Sequence, residues 1–178
     1  MPGTRLPVVG VLGSGSEPHA EQAEPLGRLV ASLGAHLLTG GGGGVMEAVA
    51  HGFVTAPGRR GLSLGILPAH DAAPGHPPPG YPNACVEVAI RTHLPLRGAR
   101  GTEPLSRNHL NVLSADALVA LPGGPGTQSE LRLALRYRRP AVAWSARGAW
   151  RDAVPDGIAV AESLTAVEDF LRRALRLR

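Results

Sequence analysis

The sequence predicts a three-layer α/β fold in which a doubly wound, mostly parallel sheet carries helices on both faces. Three observations predict it. Short apolar, strand-like runs alternate with segments of helical periodicity, which is the pattern of βαβ units. Glycine-containing turns follow several of these runs and lead into helices. The chain has 178 residues, of which 43% are apolar, so we predict a single domain over residues 1–178 with a sizeable core.

The first two βα units occupy the N-terminal third of the chain. The strand Pro7–Leu12 precedes a helix whose core face has i, i+3, i+4, i+7 spacing, formed by Leu26, Leu29, Val30 and Leu33. Gly34 can end this helix because glycine readily adopts the left-handed conformation. The strand His36–Thr39 runs into five glycines, and the next helix has a core face formed by Val45, Met46, Val49, Ala50 and Phe53.

The middle of the chain is less regular. A third strand is predicted at Leu62–Leu67. The segment Pro68–Pro82 is rich in proline, glycine and histidine, and we interpret it as a surface excursion rather than a linker between domains. Val86–Thr92 alternates apolar and polar residues, which is typical of a strand with unlike faces or near a sheet edge. A helix is predicted to begin near Ser106.

The C-terminal third continues the alternation of strands and helices. The predicted strands are Ala117–Leu121, Ala141–Trp144 and Ile158–Ala161. The helix Gln128–Arg138 is predicted to face the core with Leu131, Ala134 and Leu135. Thr165 and Glu168 have the spacing of a capping box at the start of the terminal helix. The predicted core face of that helix is formed by Val167, Phe170, Leu171 and Leu175.

The basic residues exclude two chemistries. All 18 are arginine, so the chain has no lysine to form a Schiff base with pyridoxal phosphate or to serve a Walker A loop. The net charge of +4 raises the question of nucleic acid. The arginines cluster only at Arg136–Arg139 and Arg172–Arg178, which favours solvated helix faces, and aromatic residues make up only 3%. We therefore expect no nucleic acid partner.

Other composition signals argue against a metal, a disulfide and a membrane. His70 and His76 lie in the Pro/Gly-rich segment without paired ligand spacing, so we expect no metal. The single cysteine, Cys85, is interpreted as a small core residue. The chain has no apolar run long enough to span a bilayer, and its start has neither a basic n-region nor a cleavable h-region. We expect a cytoplasmic protein.

Three turns at strand ends carry the predicted chemistry: Gly13–Ser16, Gly40–Gly44 and Pro122–Thr127. In a parallel sheet they share the carboxyl edge, where ligands bind. Glycine lets the backbone approach an anion closely, and the helix N-terminus adds partial positive charge. We therefore predict a phosphate or anion site. Its candidate residues in the first two turns are Ser14, Gly15, Gly41, Gly42 and Gly43.

The third turn opens a longer motif, Pro122–Glu130, with the sequence PGGPGTQSE. Thr127 offers a hydroxyl at the helix start, and Glu130 is predicted to project from the first turn near the same mouth. Glu130 can be a capping-box partner that favours the helix dipole. A carboxylate beside a phosphate cradle can also hold a ribose hydroxyl or activate a water.

This motif resembles the PGG-x-GT-x-x-E signature of the Lonely Guy family, also called lysine decarboxylase-like. The resemblance covers roughly residues 7–144 and implies a Rossmann-like fold. Gly43–Gly52 resembles the family's Gly-rich turn and helix, Gly65–Pro68 its third strand, and Ser106–Glu130 its arginine-bearing helix, strand and signature loop. A decarboxylase activity is inconsistent with the absence of lysine.

The resemblance implies a phosphoribohydrolase that cleaves nucleoside 5′-monophosphates to the free base and ribose 5-phosphate. It implies a catalytic pair, Arg107 and Glu130, no resident cofactor, and a homodimer with its sites near the interface. The phosphate-binding residues that it implies are Gly123, Gly124, Gly126 and Thr127.

A second resemblance points to a related subgroup. The family pattern has Arg-Lys where this chain has Arg107 and Asn108, and we count Asn108 among the ligand-binding residues. The Arg-Asn pair and Pro82–Thr92 are more similar to molybdenum-cofactor carriers, which bind a pterin phosphate as cargo without turning it over. Leu121 and Pro122 are closer to the hydrolases. The alternative to a phosphoribohydrolase is therefore a molybdenum-cofactor carrier or a nucleotide sensor. A DNA-binding protein is the third hypothesis.

Overall fold

The computed structural model describes residues 5–70, 72–73 and 75–177, and within them seven strands form one sheet whose neighbours are all parallel. The spatial order is β4-β3-β2-β1-β5-β6-β7. The strands are β1 Val8–Leu12, β2 His36–Thr39, β3 Ser63–Leu67, β4 Val88–Arg91, β5 Ala117–Ala120, β6 Ala141–Trp144 and β7 Ala159–Ala161. The predicted three-layer α/β fold is confirmed.

Five α-helices lie in the described part of the chain. They are α1 Ala20–Ser32, α2 Val45–Val54, α3 Asn108–Ser114, α4 Pro125–Arg136 and α5 Leu164–Ala174. None of them is long and apolar enough to cross a bilayer. Single 3₁₀ turns occur at Gly98–Arg100, Ala146–Gly148 and Arg151–Ala153.

The two faces of the sheet bury separate apolar clusters because side chains alternate along each strand. On one face, Val9 and Val11 of β1 pack with residues of α1, α2 and α5. On the other, Leu12 packs with residues of β5 and with Leu131 and Ala134 of α4. The first cluster is the larger, since three helices cover that face and two cover the other. The fold is therefore doubly wound.

The strand order reverses beside β1. The chain moves outward from β1 to β4 and then returns to the other side of β1 with β5. The loops after β1 and β5 consequently diverge at the carboxyl edge of adjacent strands, which opens a crevice there. Ser14 N donates to the Pro122 carbonyl at 3.0 Å and holds the bases of these two loops together.

Several local predictions need correction. The capping box at Thr165 is wrong: Ser163 is the N-cap of α5, and its hydroxyl accepts from Ala166 N at 3.2 Å. Glu168 instead pairs with Arg172 one turn later. The predicted inward position of Leu135 is also wrong, since it is 38% exposed and its neighbour Leu133 is buried. Here α4 is covered on two sides, by the sheet and by the 3₁₀ turn Gly98–Arg100.

The start of α4 also differs from its prediction. The helix begins at Pro125 rather than Gln128. Proline is favourable in the first helical position because its φ is preset and the missing N–H has no intrahelical acceptor there. The edge position of β4 agrees with the alternating pattern of its sequence, and Cys85 is half-buried against the larger cluster.

Candidate functional site

A cavity of about 380 Å³ occupies the crevice at the carboxyl edge of β1 and β5. Its lining comes from the loops after β1, β2 and β5, from the start of α3 and from the segment around Arg97. The structure brings eight of the predicted site residues into this lining. They are Ser14, Gly15, Arg107, Asn108, Gly124, Gly126, Thr127 and Glu130.

Four predicted phosphate-binding glycines do not line the cavity: Gly41, Gly42, Gly43 and Gly123. Gly42 lies against the ring of Tyr81, where an added Cβ would approach Cζ to 2.7 Å. Gly41 has φ +75°, a conformation that few other residues adopt. At Gly123 a Cβ would overlap Thr127 Oγ1. Gly41, Gly42 and Gly123 need glycine because of this backbone conformation and close packing, whereas a Cβ at Gly43 would make only ordinary contacts.

Ser14 joins the loops that form the floor of the cavity. Its N–H donates to the loop after β5, and its carbonyl accepts from Val45 N, at the start of α2, at 2.9 Å. Its hydroxyl accepts from Ser16 N and Glu17 N at 3.2 and 2.9 Å, which closes the turn after β1. The side chain of Ser14 therefore stabilises its own loop.

The first residues of α4 line the cavity. Gly124 is the N-cap and makes no side-chain cap, and Pro125 has no N–H. The amides of Gly126 and Thr127 precede the first intrahelical donor, Gln128, which donates to the Gly124 carbonyl at 3.2 Å. The hydroxyl of Thr127 is buried and has no hydrogen-bond partner among the residues that the structure describes. Free donors at a helix N-terminus form an anion site.

Arg107 forms the wall on the β2 side. The residue is only 6% exposed, and its Nη1 donates to the Ile66 carbonyl at 2.9 Å. The guanidinium lies on Gly40, where a Cβ would overlap it. Its Nε is buried, and no described residue accepts a hydrogen bond from it. Burial lowers the pKa of Arg107, while the Glu130 carboxylate opposes that shift. The side chain is thus a buried cation whose Nε donor is unpaired within the described part of the chain.

Glu130 lies in the second turn of α4 rather than the first, because the helix begins at Pro125. The capping-box role is therefore wrong. Its carboxylate Oε1 accepts from Asn111 Nδ2 at 2.9 Å, and the residue is 9% exposed. Burial raises the pKa of Glu130, and the nearby Arg107 and the hydrogen bond from Asn111 act in the opposite direction. This carboxylate can accept a hydrogen bond from a ligand hydroxyl or take a proton from water.

Sequence reasoning missed three residues of the site. Asn111 holds Glu130, and its spacing of four residues from Arg107 on one helix is a signal that could have found it. Arg97 and Tyr81 line the cavity from irregular segments. No spacing in the sequence points to these two, because loops set their positions.

The described residues contain no group of three or more His, Cys, Asp or Glu side chains that could hold a metal ion. His70 N donates to the His76 carbonyl at 2.7 Å in a local turn. The expectation that the protein uses no metal stays a prediction.

The profile of the SLOG cluster4 family matches residues 6–167, most of the chain. The chain belongs to this family. The resemblance predicted from the Pro122–Glu130 motif is thereby confirmed. A protein of Archaeoglobus fulgidus is 34% identical over 134 residues, which cover 74% of this chain and 76% of the relative.

Solved structures extend the comparison of this SLOG cluster4 chain. It is similar to the molybdenum cofactor binding protein of the phototrophic bacterium Rippkaea orientalis, with TM-score 0.74 and 29% identity over 97% of this chain and 99% of that one. For the molybdenum cofactor carrier protein of Chlamydomonas reinhardtii the TM-score is 0.74 and the identity 28%, with the same coverage. DNA processing protein A of Helicobacter pylori shares the fold alone, at TM-score 0.61 and 16% identity, with 94% of this chain and 80% of that one covered.

Proposed function

We propose that the cavity binds a phosphorylated heterocyclic compound, with its phosphate at the N-terminus of α4. One observation carries the proposal. Gly126 and Thr127, whose amides precede the first intrahelical donor, line the same cavity as Arg107, and the buried atoms Thr127 Oγ1 and Arg107 Nε have no hydrogen-bond partner among the described residues. Buried polar atoms nearly always have partners. A phosphate ester supplies acceptor oxygens for both kinds of donor, and the helix dipole favours its negative charge.

The charges around the cavity support an anionic ligand. Arg107 is buried in the wall and Arg97 lies exposed beside the cavity, so two cations accompany one carboxylate, Glu130. Glu130 is held by Asn111 rather than by the amides of α4, which leaves those amides for the ligand. The carboxylate is placed to contact hydroxyl or N–H groups of the ligand rather than its phosphate.

We further propose that the protein carries this ligand, as a pterin phosphate of the molybdenum-cofactor type, without turning it over. The support is the similarity, over nearly the whole chain, to two proteins described as binding or carrying molybdenum cofactor. Asn108 beside Arg107 agrees with this role. The molybdenum cofactor is here cargo, and the proposal requires no resident cofactor.

Glu130 supports a second candidate function, hydrolysis of a nucleoside 5′-monophosphate. In this reaction Glu130 takes a proton from a water whose oxygen bonds to C1′ of the ribose. The C1′–N bond breaks, its electron pair goes to the base nitrogen, and that nitrogen gains a proton. The products are the free base and ribose 5-phosphate. A carboxylate whose pKa is raised by burial suits general-base catalysis.

Calorimetric titration tests the binding proposal directly. The ligands are 5′-AMP and a reduced pterin phosphate, and the variant is Thr127→Val, which removes the unpartnered hydroxyl with little change in shape. We expect about 10-fold weaker binding by the variant. The matched control is Thr55→Val, at an exposed helix end away from the cavity. Equal affinities for unmodified protein and Thr127→Val would remove this hydroxyl from the site.

Product analysis separates the two candidate functions. The unmodified protein is incubated with a panel of nucleoside 5′-monophosphates while free base and ribose 5-phosphate are measured. A carrier releases neither product and returns the pterin phosphate intact. A hydrolase releases both, and Glu130→Gln then loses about 10²-fold or more in turnover. Glu162→Gln, on an exposed loop, is the control that keeps the unmodified rate.

A further inference from the structure

Tyr81 lines the cavity beside the loop that follows β2. Its ring rests on Gly42, in the loop after β2, whereas the phosphate donors follow β5. In the sheet, β1 separates β2 from β5, so these loops lie two strand spacings apart, about 10 Å. A ribose or comparable linker spans that distance between a phosphate and a ring system. The side chain that lines the cavity there is therefore next to the heterocycle rather than the phosphate.

The position of Tyr81 is set by a clamp between two loops. Asn83 N donates to the Gly41 carbonyl at 2.8 Å, and Asn83 Nδ2 donates to the Gly42 carbonyl at 2.7 Å. Asn83 is itself buried, and its Oδ1 accepts from Cys85 N at 3.0 Å. These bonds fasten the end of the long excursion that follows β3 onto the glycine-rich loop. They hold the Tyr81 ring in the cavity wall without using its hydroxyl.

Tyr81 also differs chemically from the rest of the lining. It is the aromatic residue among the described residues that line the cavity, whose other apolar contributors are Val11, Leu12 and Met46. Arg107 lines the same cavity as Tyr81. A planar, electron-rich ring packs favourably on an aromatic ring and beside a guanidinium.

We infer that Tyr81 is the specificity-determining residue of the site and that it contacts the ring system of the ligand. This inference rests on the proposed phosphate site at α4. It adds recognition of the ring system, which the phosphate site does not contact. It gives the cavity a preference for phosphomonoesters of planar heterocycles, purine or pterin, over sugar phosphates that have no base. Gly41 and Gly42 then affect ligand binding indirectly, because they position Tyr81.

Titrations with a paired ligand set test this role. The ligands are 5′-AMP, which has a base, and ribose 5-phosphate, which has the same phosphate and sugar without one. For Tyr81→Leu we expect about 10-fold or greater loss of affinity for 5′-AMP, within the range of base-stacking contributions, and less than about 3-fold change for ribose 5-phosphate. Tyr81→Phe, which keeps the ring, should stay within about 3-fold of the unmodified protein for both ligands.

The other tyrosine of the chain supplies the matched control. Tyr137 packs against His109 outside the cavity, so Tyr137→Phe should leave both affinities unchanged. Equal losses for 5′-AMP and ribose 5-phosphate in Tyr81→Leu, or no loss for either, would overturn the specificity role while leaving the phosphate site intact. If the unmodified protein bound neither 5′-AMP nor a pterin phosphate, the proposed function would fail, and this inference with it.

Discussion

At the scale of single residues, the site depends on charged and polar groups that are buried without full pairing. Arg107 is the N-cap residue of α3, and Glu130 lies in α4. Both residues are nearly inaccessible to solvent. Asn111 donates to Glu130 but its own Oδ1 has no hydrogen-bond partner in the described structure. Such partly satisfied networks are costly in a folded protein, and they are typical of functional sites.

Glu130 should make stability depend on pH. Its pKa in the folded protein is raised above the ordinary 4.5 by burial. Below the ordinary value both folded and unfolded states bind the proton, so Glu130 adds no pH dependence. As pH rises from about 4.5 through the raised pKa, the unfolded state ionises more easily and stability is lost. Urea unfolding should therefore show the unmodified protein losing stability relative to Glu130→Gln over this interval.

The comparison with an exposed carboxylate isolates this effect. Glu162→Gln changes the same chemical group on the surface. Its difference in unfolding free energy from the unmodified protein should stay nearly constant over the same pH interval. A flat difference for Glu130→Gln as well would show that Glu130 ionises in the folded protein as it does in the unfolded chain.

Gly40 and Gly124 provide a second test at the residue scale. A Cβ at Gly40 overlaps the Arg107 guanidinium, whereas a Cβ at Gly124 has nothing within 4 Å. Gly40→Ala should displace Arg107, destabilise the fold by about 1–3 kcal/mol and weaken phosphomonoester binding. Gly124→Ala should stay within about 0.5 kcal/mol of the unmodified stability. Thermal unfolding and calorimetry measure both; equal stabilities for the two variants would contradict the packing of Arg107 on Gly40.

At the scale of secondary-structure elements, the N-termini of α4 and α5 have different roles, one in the proposed ligand site and the other in the stability of its helix. The N-terminus of α4 lacks a side-chain cap and leaves its donors to the cavity. The N-terminus of α5, far from the cavity, is capped by Ser163. The difference is consistent with a general pattern in which anion sites use donors that a capping side chain would otherwise occupy.

The cap of α5 can be tested with a pair of substitutions. Ser163→Ala should lower the free energy of unfolding by about 1 kcal/mol, because Ala166 N loses its acceptor. Thr165→Ala should have a much smaller effect, since Thr165 lies exposed inside the helix rather than at the cap. Chemical denaturation of both variants measures the difference. A larger loss for Thr165→Ala would reinstate the capping box predicted from the sequence.

At the scale of the whole molecule, the second face of the sheet has the thinner cover. Two helices, α3 and α4, pack on it, and β3 and β4 reach beyond them. Several large apolar side chains are exposed in the elements of this region: Leu62, Val88, Ile90, Leu105, Leu110 and Leu113. Both faces of parallel sheets are normally buried. This exposure supports the homodimer that the family resemblance implies.

Sedimentation equilibrium tests the dimer. The chain has a mass of 18.4 kDa, and we expect a species of twice that mass at micromolar concentrations. Burial of exposed apolar surface at the interface favours association. The control is the same measurement in moderate salt, which should leave an apolar interface intact. A monomer mass across the concentration range would contradict the prediction.

The order of strands and helices was predictable because it depends on local periodicity. Buried parallel strands are short apolar runs, amphipathic helices repeat every 3.6 residues, and glycine turns separate the two. The start of α4 was missed by three residues because proline and glycine in the turn concealed the helix. Leu135 was wrongly predicted to face the core because the 3₁₀ turn at Gly98–Arg100, far away in sequence, covers another side of α4.

The sequence by itself determined the parallel α/β fold, the family, and the motif Pro122–Glu130 together with Arg107. Tertiary structure alone decided which residues meet. It placed Gly41 and Gly42 behind the cavity, brought Tyr81 into its wall through Asn83, and joined Glu130 to Asn111. The physical reason is that periodicity and turn chemistry act between near neighbours in sequence, whereas a cavity is defined by close packing between loops that only the strand order brings together.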